Sequence, residues 1–153
     1  MTLGQYQDKA MVEAIELARQ AAMIGEVPVA AVITGPEGKI IAAEANRVER
    51  DKDPTAHAEI LVIRKASEKL GTTRLSECDI WVTLEPCPMC AGAITQARLR
   101  RLYYAAEDPK SGGVDHGPRV FSHPTCHHQP EIYSGIRAEE SAHLLRDFFK
   151  ERR

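Results

Sequence analysis

The sequence lacks a long hydrophobic run, a signal peptide and a strong charge of either sign. None of its apolar stretches approaches the roughly 20 residues of a transmembrane helix. The N-terminus, MTLGQYQDKA, has neither the basic nor the apolar segment of a secretory leader. A formal net charge of −2 excludes the global basic field of a non-specific nucleic-acid binder but leaves room for a local basic patch. We therefore expect a cytoplasmic protein with no membrane association.

Aromatic residues are also scarce, at 5%, and the sequence has no internal repeat or low-complexity run. Hydrophobic residues make up 43% and charged residues 27% of the chain, which is typical of a globular protein. A length of 153 residues predicts one domain, spanning residues 1–153. The four cysteines are not expected to form disulfides, because cytoplasmic thiols stay reduced.

Periodicity and turn residues predict alternating helices and strands. The predicted helices span 8–24, 56–70, 88–97 and 138–153, and the predicted strands span 27–33, 39–45, 79–84, 101–106 and 131–136. Polar loops are expected at 47–54 and 108–130. This order predicts an α/β domain that begins with a hairpin and continues with parallel crossovers.

Two short motifs carry the chemistry. His57 and Glu59 stand at the start of the second predicted helix, and Cys87 and Cys90 share one face of the third, in TLEPCPMCAGA. Helices that follow neighbouring strands begin at the same edge of a sheet, so the two motifs are expected to meet there. One imidazole and two thiolates leave a fourth position open, which is typical of catalytic zinc. Zinc lowers the pKa of a bound water to about 7.

Glu59 is predicted to carry protons beside the metal without binding it. Hydrolytic loss of an amino group from an aromatic ring requires proton delivery to the ring and then to the amine. Residues two apart do not face each other in a regular helix, so this prediction requires His57 to lie at the helix's opening.

The cysteines and histidines are compatible with three other interpretations. His57, Cys87 and Cys90 are compatible with a core histidine and two buried thiols. A closed structural zinc site with Cys78 as fourth ligand leaves Glu59 unexplained. A second metal site is weakly suggested by four neighbouring side chains, for which a packed loop is the favoured interpretation: His123, Cys126, His127 and His128.

The combination His57-Ala58-Glu59 and Pro86-Cys87-Pro88-Met89-Cys90 matches the H-x-E…P-C-x-x-C signature of zinc nucleobase deaminases. Within that cytidine/deoxycytidylate deaminase-like superfamily, the chain resembles the bacterial tRNA adenosine deaminases. Further stretches that resemble this family are VPVAAVI, DPTAHAEI, RLYYAAEDPKSGG and LLRDFFKERR. The resemblance implies a three-layer cytidine-deaminase-like fold, with a mixed five-stranded sheet between helices. It also implies deamination of adenosine to inosine at the tRNA wobble position, by a homodimer with one Zn²⁺ per subunit.

The resemblance further implies substrate contacts with the anticodon stem-loop. Asn46 is expected to hold the target nucleoside, although a turn-forming role is an alternative. Apart from the resemblance, the backbone N–H groups around Ala58 and at the start of the third predicted helix are candidates for fixing the base or the hydroxide. Asp108 and Lys110 are expected to touch the RNA near the flipped base, although a simple turn is the alternative for residues 108–113. Phe149 is a candidate for stacking on a base, with Lys150, Arg152 and Arg153 contacting phosphates, and packing against the core is the alternative for this segment.

The same zinc chemistry would serve a deaminase of a free base or nucleoside, such as guanine, cytosine or cytidine. The segments outside the metal motif favour RNA, because a small-molecule enzyme needs neither EDPKSGG nor a basic-aromatic terminus. A third class, a non-catalytic RNA-binding subunit, is disfavoured by the presence of Glu59.

Overall fold

The computed structural model describes residues 5–152, which form five helices and five strands. The helices are α1 Gln5–Met23, α2 Val48–Asp51, α3 Ala58–Leu70, α4 Pro88–Ala97 and α5 Ala138–Glu151. The strands are β1 Ala30–Thr34, β2 Ile40–Ala45, β3 Asp79–Leu84, β4 Arg101–Ala106 and β5 Glu131–Tyr133. A short 3₁₀ helix, Val120–Ser122, interrupts the long loop after β4.

The strands form one mixed sheet in the order β2-β1-β3-β4-β5. β1 pairs antiparallel with both β2 and β3, whereas β3, β4 and β5 run parallel. Because β3 and β4 are parallel, the segments that follow them leave the sheet at the same edge. The predicted α/β class, with an initial hairpin and later parallel crossovers, is confirmed.

Helices cover both faces of the sheet. On one face, α1 packs with Met11 and Ile15 on Val32, Trp81 and Tyr103. On the other face, α3 and α4 pack against Ile33 and Ile80, among others. All five residues of β1 are buried, because this interior strand has a neighbour on each edge and helices on both faces. The predicted three-layer arrangement is therefore confirmed.

Three predicted segments differ from the structure. The first strand, predicted at 27–33, begins at Ala30, because Pro28 has no N–H to donate to a neighbouring strand. The stretch 47–54, predicted as a polar loop, contains the one-turn helix α2, whose first N–H groups are bound by the buried Glu26. The last strand ends at Tyr133 and not at residue 136, because Gly135 adopts φ +81° and turns the chain. Arg153, predicted to contact phosphate, lies outside the described residues.

Among the described helices, none combines the length and the apolar character needed to cross a membrane.

Candidate active site

His57 occupies the N-cap position of α3, with φ −73° and ψ 149°. This extended backbone directs the His57 side chain differently from residues inside the helix. Glu59 lies in the first turn and is buried. The N-cap position is the arrangement that the prediction required for His57 and Glu59 to reach one site.

Cys87 occupies the equivalent N-cap position of α4, with φ −71° and ψ 172°. Pro88 follows in the first turn of the helix, where its missing N–H costs no hydrogen bond. Cys90 lies one turn later and is fully buried. The starts of α3 and α4 meet as predicted: His57 Nδ1 lies 3.7 Å from Cys87 Sγ and 3.5 Å from Cys90 Sγ.

These three side chains fit a tetrahedral zinc ion. Their ligand atoms all lie within 4.8 Å of one another. Typical Zn–N and Zn–S bonds at a tetrahedral angle place nitrogen and sulfur about 3.6 Å apart, a separation that the two observed distances bracket. In residues 5–152, no other group of three or more His, Cys, Asp or Glu side chains has such geometry.

Mutual hydrogen bonding shifts the ionisation of the three groups. The Cys90 thiol and the His57 imidazole lower the pKa of Cys87 to about 4, against the opposing effect of burial. The pKa of Cys90 is raised, because its thiol bonds to Cys87 and is buried. The hydrogen bond to Cys87 raises the pKa of His57, although burial opposes it. Of the two thiols, Cys87 is therefore the one that ionises more readily.

Burial raises the pKa of Glu59 to about 7. The Glu59 side chain is only 4% exposed, and the nearby Cys87 adds to the increase. A carboxyl group with a pKa near neutrality both accepts and releases protons at working pH, which is the property of a general acid–base group.

A cavity of about 310 Å³ opens in front of these residues. Among the predicted site residues, His57, Glu59, Cys87, Asn46 and Asp108 line it. Ala58 and Cys90 are buried and do not line it, and Lys110 and Phe149 are exposed and do not line it. The structure therefore gathers the metal motif, the proton carrier and two of the predicted substrate contacts around one cavity.

A larger cavity, of about 710 Å³, lies near the start of β3, the end opposite to the Cys87 turn. Its two arginines are committed to ion pairs, Arg100 with Asp79 and Arg101 with Glu131. It holds none of the metal motif, so we assign the chemistry to the smaller cavity.

The two adjacent phenylalanines near the end of α5 differ in burial. Phe148 is buried, and the Arg152 guanidinium lies 3.7 Å from the centre of its ring. Phe149 is 48% exposed. The core-packing alternative therefore applies to Phe148, while Phe149 remains available for a ligand.

The other two cysteines, Cys78 and Cys126, lie outside the metal motif. Cys78 is buried in the core just before β3 and does not join Cys87 and Cys90. Cys126 Sγ lies 3.4 Å from Thr95 Oγ1, and the His128 imidazole donates to the Leu99 carbonyl at 2.6 Å. These contacts bind the 123–128 segment to α4 as a packed loop.

Two buried glutamates that sequence reasoning missed support the cavity walls. Glu26 accepts the backbone N–H of Glu49 at 3.1 Å and of Arg50 at 2.7 Å. Glu85 binds the chain that follows Asp108, and both glutamates line the cavity. In the sequence, only the positions of these glutamates next to predicted strands, in GEVPV and TLEPC, could have indicated that they support the cavity walls.

Comparison with known proteins identifies the family. The family model of MafB19-like deaminases matches residues 6–153. A tRNA-specific adenosine deaminase of Agrobacterium fabrum is 53% identical over 148 residues, covering 97% of this chain and 94% of the relative. The chain belongs to the bacterial tRNA adenosine deaminases. The resemblance predicted from the motifs is confirmed.

The fold of this deaminase is similar to solved structures of two kinds of deaminase. One, from a study of A-to-I editing by tRNA:A34 deaminases at the wobble position, superposes with a TM-score of 0.87 at 53% identity, covering 90% of this chain and 99% of that one. A guanine deaminase from Nitrosomonas europaea superposes with a TM-score of 0.75 at 26% identity, covering 92% and 83%. The cytidine-deaminase-like fold therefore serves both an RNA substrate and a free base.

Proposed function

We propose that this protein hydrolyses adenosine to inosine at the wobble position of a tRNA anticodon. The observation that carries the proposal is the 53% identity with a tRNA-specific adenosine deaminase over nearly the full length of both chains. The grouping of His57, Cys87 and Glu59 at one cavity, with Cys90 buried next to His57, supports the reaction.

We assign His57, Cys87 and Cys90 as the ligands of one Zn²⁺ per subunit. The donor set and its spacing support this assignment. When bound, zinc acts as a Lewis acid that makes water a stronger acid and nucleophile.

Glu59 carries the protons of the reaction. It takes one proton from the attacking water and gives it to N1 of the adenine ring. The remaining hydroxyl proton then passes through Glu59 to the amino group, which leaves as ammonia while C6 keeps the oxygen. The pKa of about 7 suits a group that changes protonation state at each step.

Side chains and backbone around the cavity hold the nucleoside. Asn46 presents a side-chain amide, while its own backbone N–H bonds to the Val29 carbonyl at 2.9 Å. The N–H of Ala58, at the first position of α3, is a further donor for the base. Asp108 forms the opposite wall. Its Oδ1 accepts the N–H groups of Lys110 and Ser111, so it shapes a turn as well.

Outside the cavity, exposed groups contact the rest of the anticodon stem-loop. Lys110 is exposed and lies in the chain between Asp108 and Ser111, which both line the cavity. Phe149 lies beside Lys150 on the exposed side of α5. An exposed aromatic ring with neighbouring cations suits a stacked base and its phosphates.

We also propose a cytoplasmic homodimer. The surface between α3 and α4 is a shallow, mainly apolar groove, which Ile60, Ile63 and Ala93 help to line. Small residues on α4 permit close approach of a second helix, and Gly92 has open space around it.

The decisive experiment compares two substrates. The zinc-loaded protein is incubated with anticodon stem-loops carrying adenosine at the wobble position and, separately, with guanine, and inosine and ammonia are measured. Formation of inosine in the stem-loop supports the proposal. Turnover of guanine with none of the stem-loop would favour the second candidate, a free-base deaminase, for which the similarity to the guanine deaminase is the supporting observation.

A further inference from the structure

Both carboxylate oxygens of Glu85 are occupied by one segment of chain, residues 108–116, which we name the wall loop. Oε1 accepts the backbone N–H of Asp108 at 3.1 Å and contacts His116 Nδ1 at 2.7 Å. Oε2 accepts three consecutive backbone N–H groups, those of Val114, Asp115 and His116, at 3.0–3.2 Å. A single side chain thus binds both ends of the wall loop.

The Glu85 side chain is fully buried, with 0% exposure. A buried carboxylate is costly unless its oxygens are hydrogen-bonded, and here five contacts satisfy them. Hydrogen bonds to an ionised acceptor are stronger than neutral ones. The position of the wall loop therefore depends on the hydrogen bonds that the Glu85 carboxylate accepts.

Close packing restricts the backbone conformation of the wall loop. A Cβ on Gly112 would lie 2.4 Å from Glu85 Oε2, and one on Gly113 would lie 2.6 Å from the Pro88 nitrogen. The Gly113 N–H also bonds to the Pro86 carbonyl at 2.8 Å. The loop thus lies directly against Glu85 and against the turn that carries Cys87.

The wall loop in turn forms one side of the active-site cavity, through Asp108 and Ser111. On the opposite side, the cavity is bounded by Asn46 and by α2. A shift of the wall loop away from Asn46 and α2 would widen the cavity, whereas His57, Cys87 and Cys90 are held mainly by α3 and α4.

We infer that Glu85 is a positioning residue that holds the wall loop as a preformed side of the substrate cavity. This inference rests on the proposed function only for the identity of the substrate. We call the hydrogen bonds from the wall loop to Glu85 the clamp. A preformed wall reduces the entropy lost when the loop is ordered on binding, so loss of the clamp should act on substrate affinity more than on the chemical step.

The test is Glu85→Gln, with Glu77→Gln as the matched control at an exposed position outside the site. An amide keeps one acceptor oxygen but places an NH₂ group on the other side. With the oxygen toward the three N–H groups of residues 114–116, the NH₂ faces the N–H of Asp108. Amide hydrogen exchange should therefore accelerate about tenfold or more at Asp108, and less at 114–116. The KM for the stem-loop should rise by a similar factor, while kcat and zinc content change little.

Gly112→Ala provides a second route if Glu85→Gln folds poorly. It leaves Glu85 intact but displaces the loop, so it should raise KM in the same way. Unchanged exchange and KM in Glu85→Gln would overturn the inference, and so would faster exchange without any rise in KM. If the wild type deaminates guanine and not the stem-loop, the proposed function fails, and the clamp is then judged on exchange rates and on KM for guanine.

Discussion

Glu85 Oε1 and His116 Nδ1 lie 2.7 Å apart, although 31 positions separate the two residues in the chain. The hydrogen bond to Glu85 raises the pKa of His116, and the nearby Glu107 and Asp115 add to the increase, while burial opposes it. Burial raises the pKa of Glu85, but hydrogen bonds from Asp108, His116 and their neighbours outweigh it, and the net pKa is lowered. Around neutral pH the carboxylate is therefore ionised.

This pair predicts a pH-dependent contribution to stability. A histidine whose pKa is higher in the folded state stabilises fully below its unfolded pKa, roughly 6.5, and loses that contribution as pH rises through the folded value. The difference in free energy of unfolding between wild type and His116→Gln should be largest near pH 6 and shrink at alkaline pH. Urea denaturation from pH 6 to 9 measures it, and a difference constant with pH would contradict the prediction.

The active-site core was predictable because its residue types and spacing are both restrictive. One imidazole and two thiols at helix starts meet only if the intervening strand returns the chain to the same sheet edge, which β3 does. The clamp was not predictable, since it depends on the path of the wall loop, which has no periodicity. The helix α2 was missed because a four-residue helix has too few turns to show a pattern and is stabilised by the distant Glu26.

Removal of a metal ligand should abolish zinc binding. The wild type should contain about one zinc per chain, and Cys87→Ala or Cys90→Ala should contain almost none, because two protein ligands hold zinc poorly. The variants should also unfold at lower temperature, since metal binding stabilises the folded state. Elemental analysis after dialysis measures the first effect, with Cys78→Ala as the control that keeps its zinc. Full zinc content in both ligand variants would reject the assignment.

Glu59→Ala should separate binding from chemistry. Zinc and stem-loop binding should persist, because the carboxylate is not a ligand, whereas kcat should fall by about 10²–10⁴-fold without the proton carrier. Glu68→Ala, on the exposed side of the same helix, is the matched control and should retain activity. Single-turnover inosine formation and metal analysis make the measurement, and near-normal turnover in Glu59→Ala would exclude the proposed role.

The groove between α3 and α4 predicts the site of dimerisation. Ala93→Arg places a long cation where a second copy is expected to approach, so it should produce a monomer at micromolar concentration. Val12→Arg makes the same change on the exposed side of α1 and should leave the dimer intact. Light scattering distinguishes the two. A monomeric wild type, or a dimeric Ala93→Arg variant, would count against this interface.

The exposed end of α5 predicts how RNA binding responds to salt. If Lys150, Arg152 and Arg153 contact phosphates, replacing all three with Ala should weaken stem-loop binding and reduce the log–log salt slope by about 0.7–0.9 for each lost contact.

Phe149→Ala should instead weaken binding by about 1–3 kcal/mol with little change in slope, because base stacking releases no counterions. As a control, Lys39, Lys69 and Arg74 are all replaced with Ala. These residues are exposed and do not line the active-site cavity, so the affinity and the salt slope should stay near the wild-type values. Binding titrations at several salt concentrations, with zinc content verified, measure all three variants. Unchanged affinity and slope in the α5 triple variant would remove this helix end from the RNA site, because contacts that neutralise phosphates cannot be lost without altering counterion release.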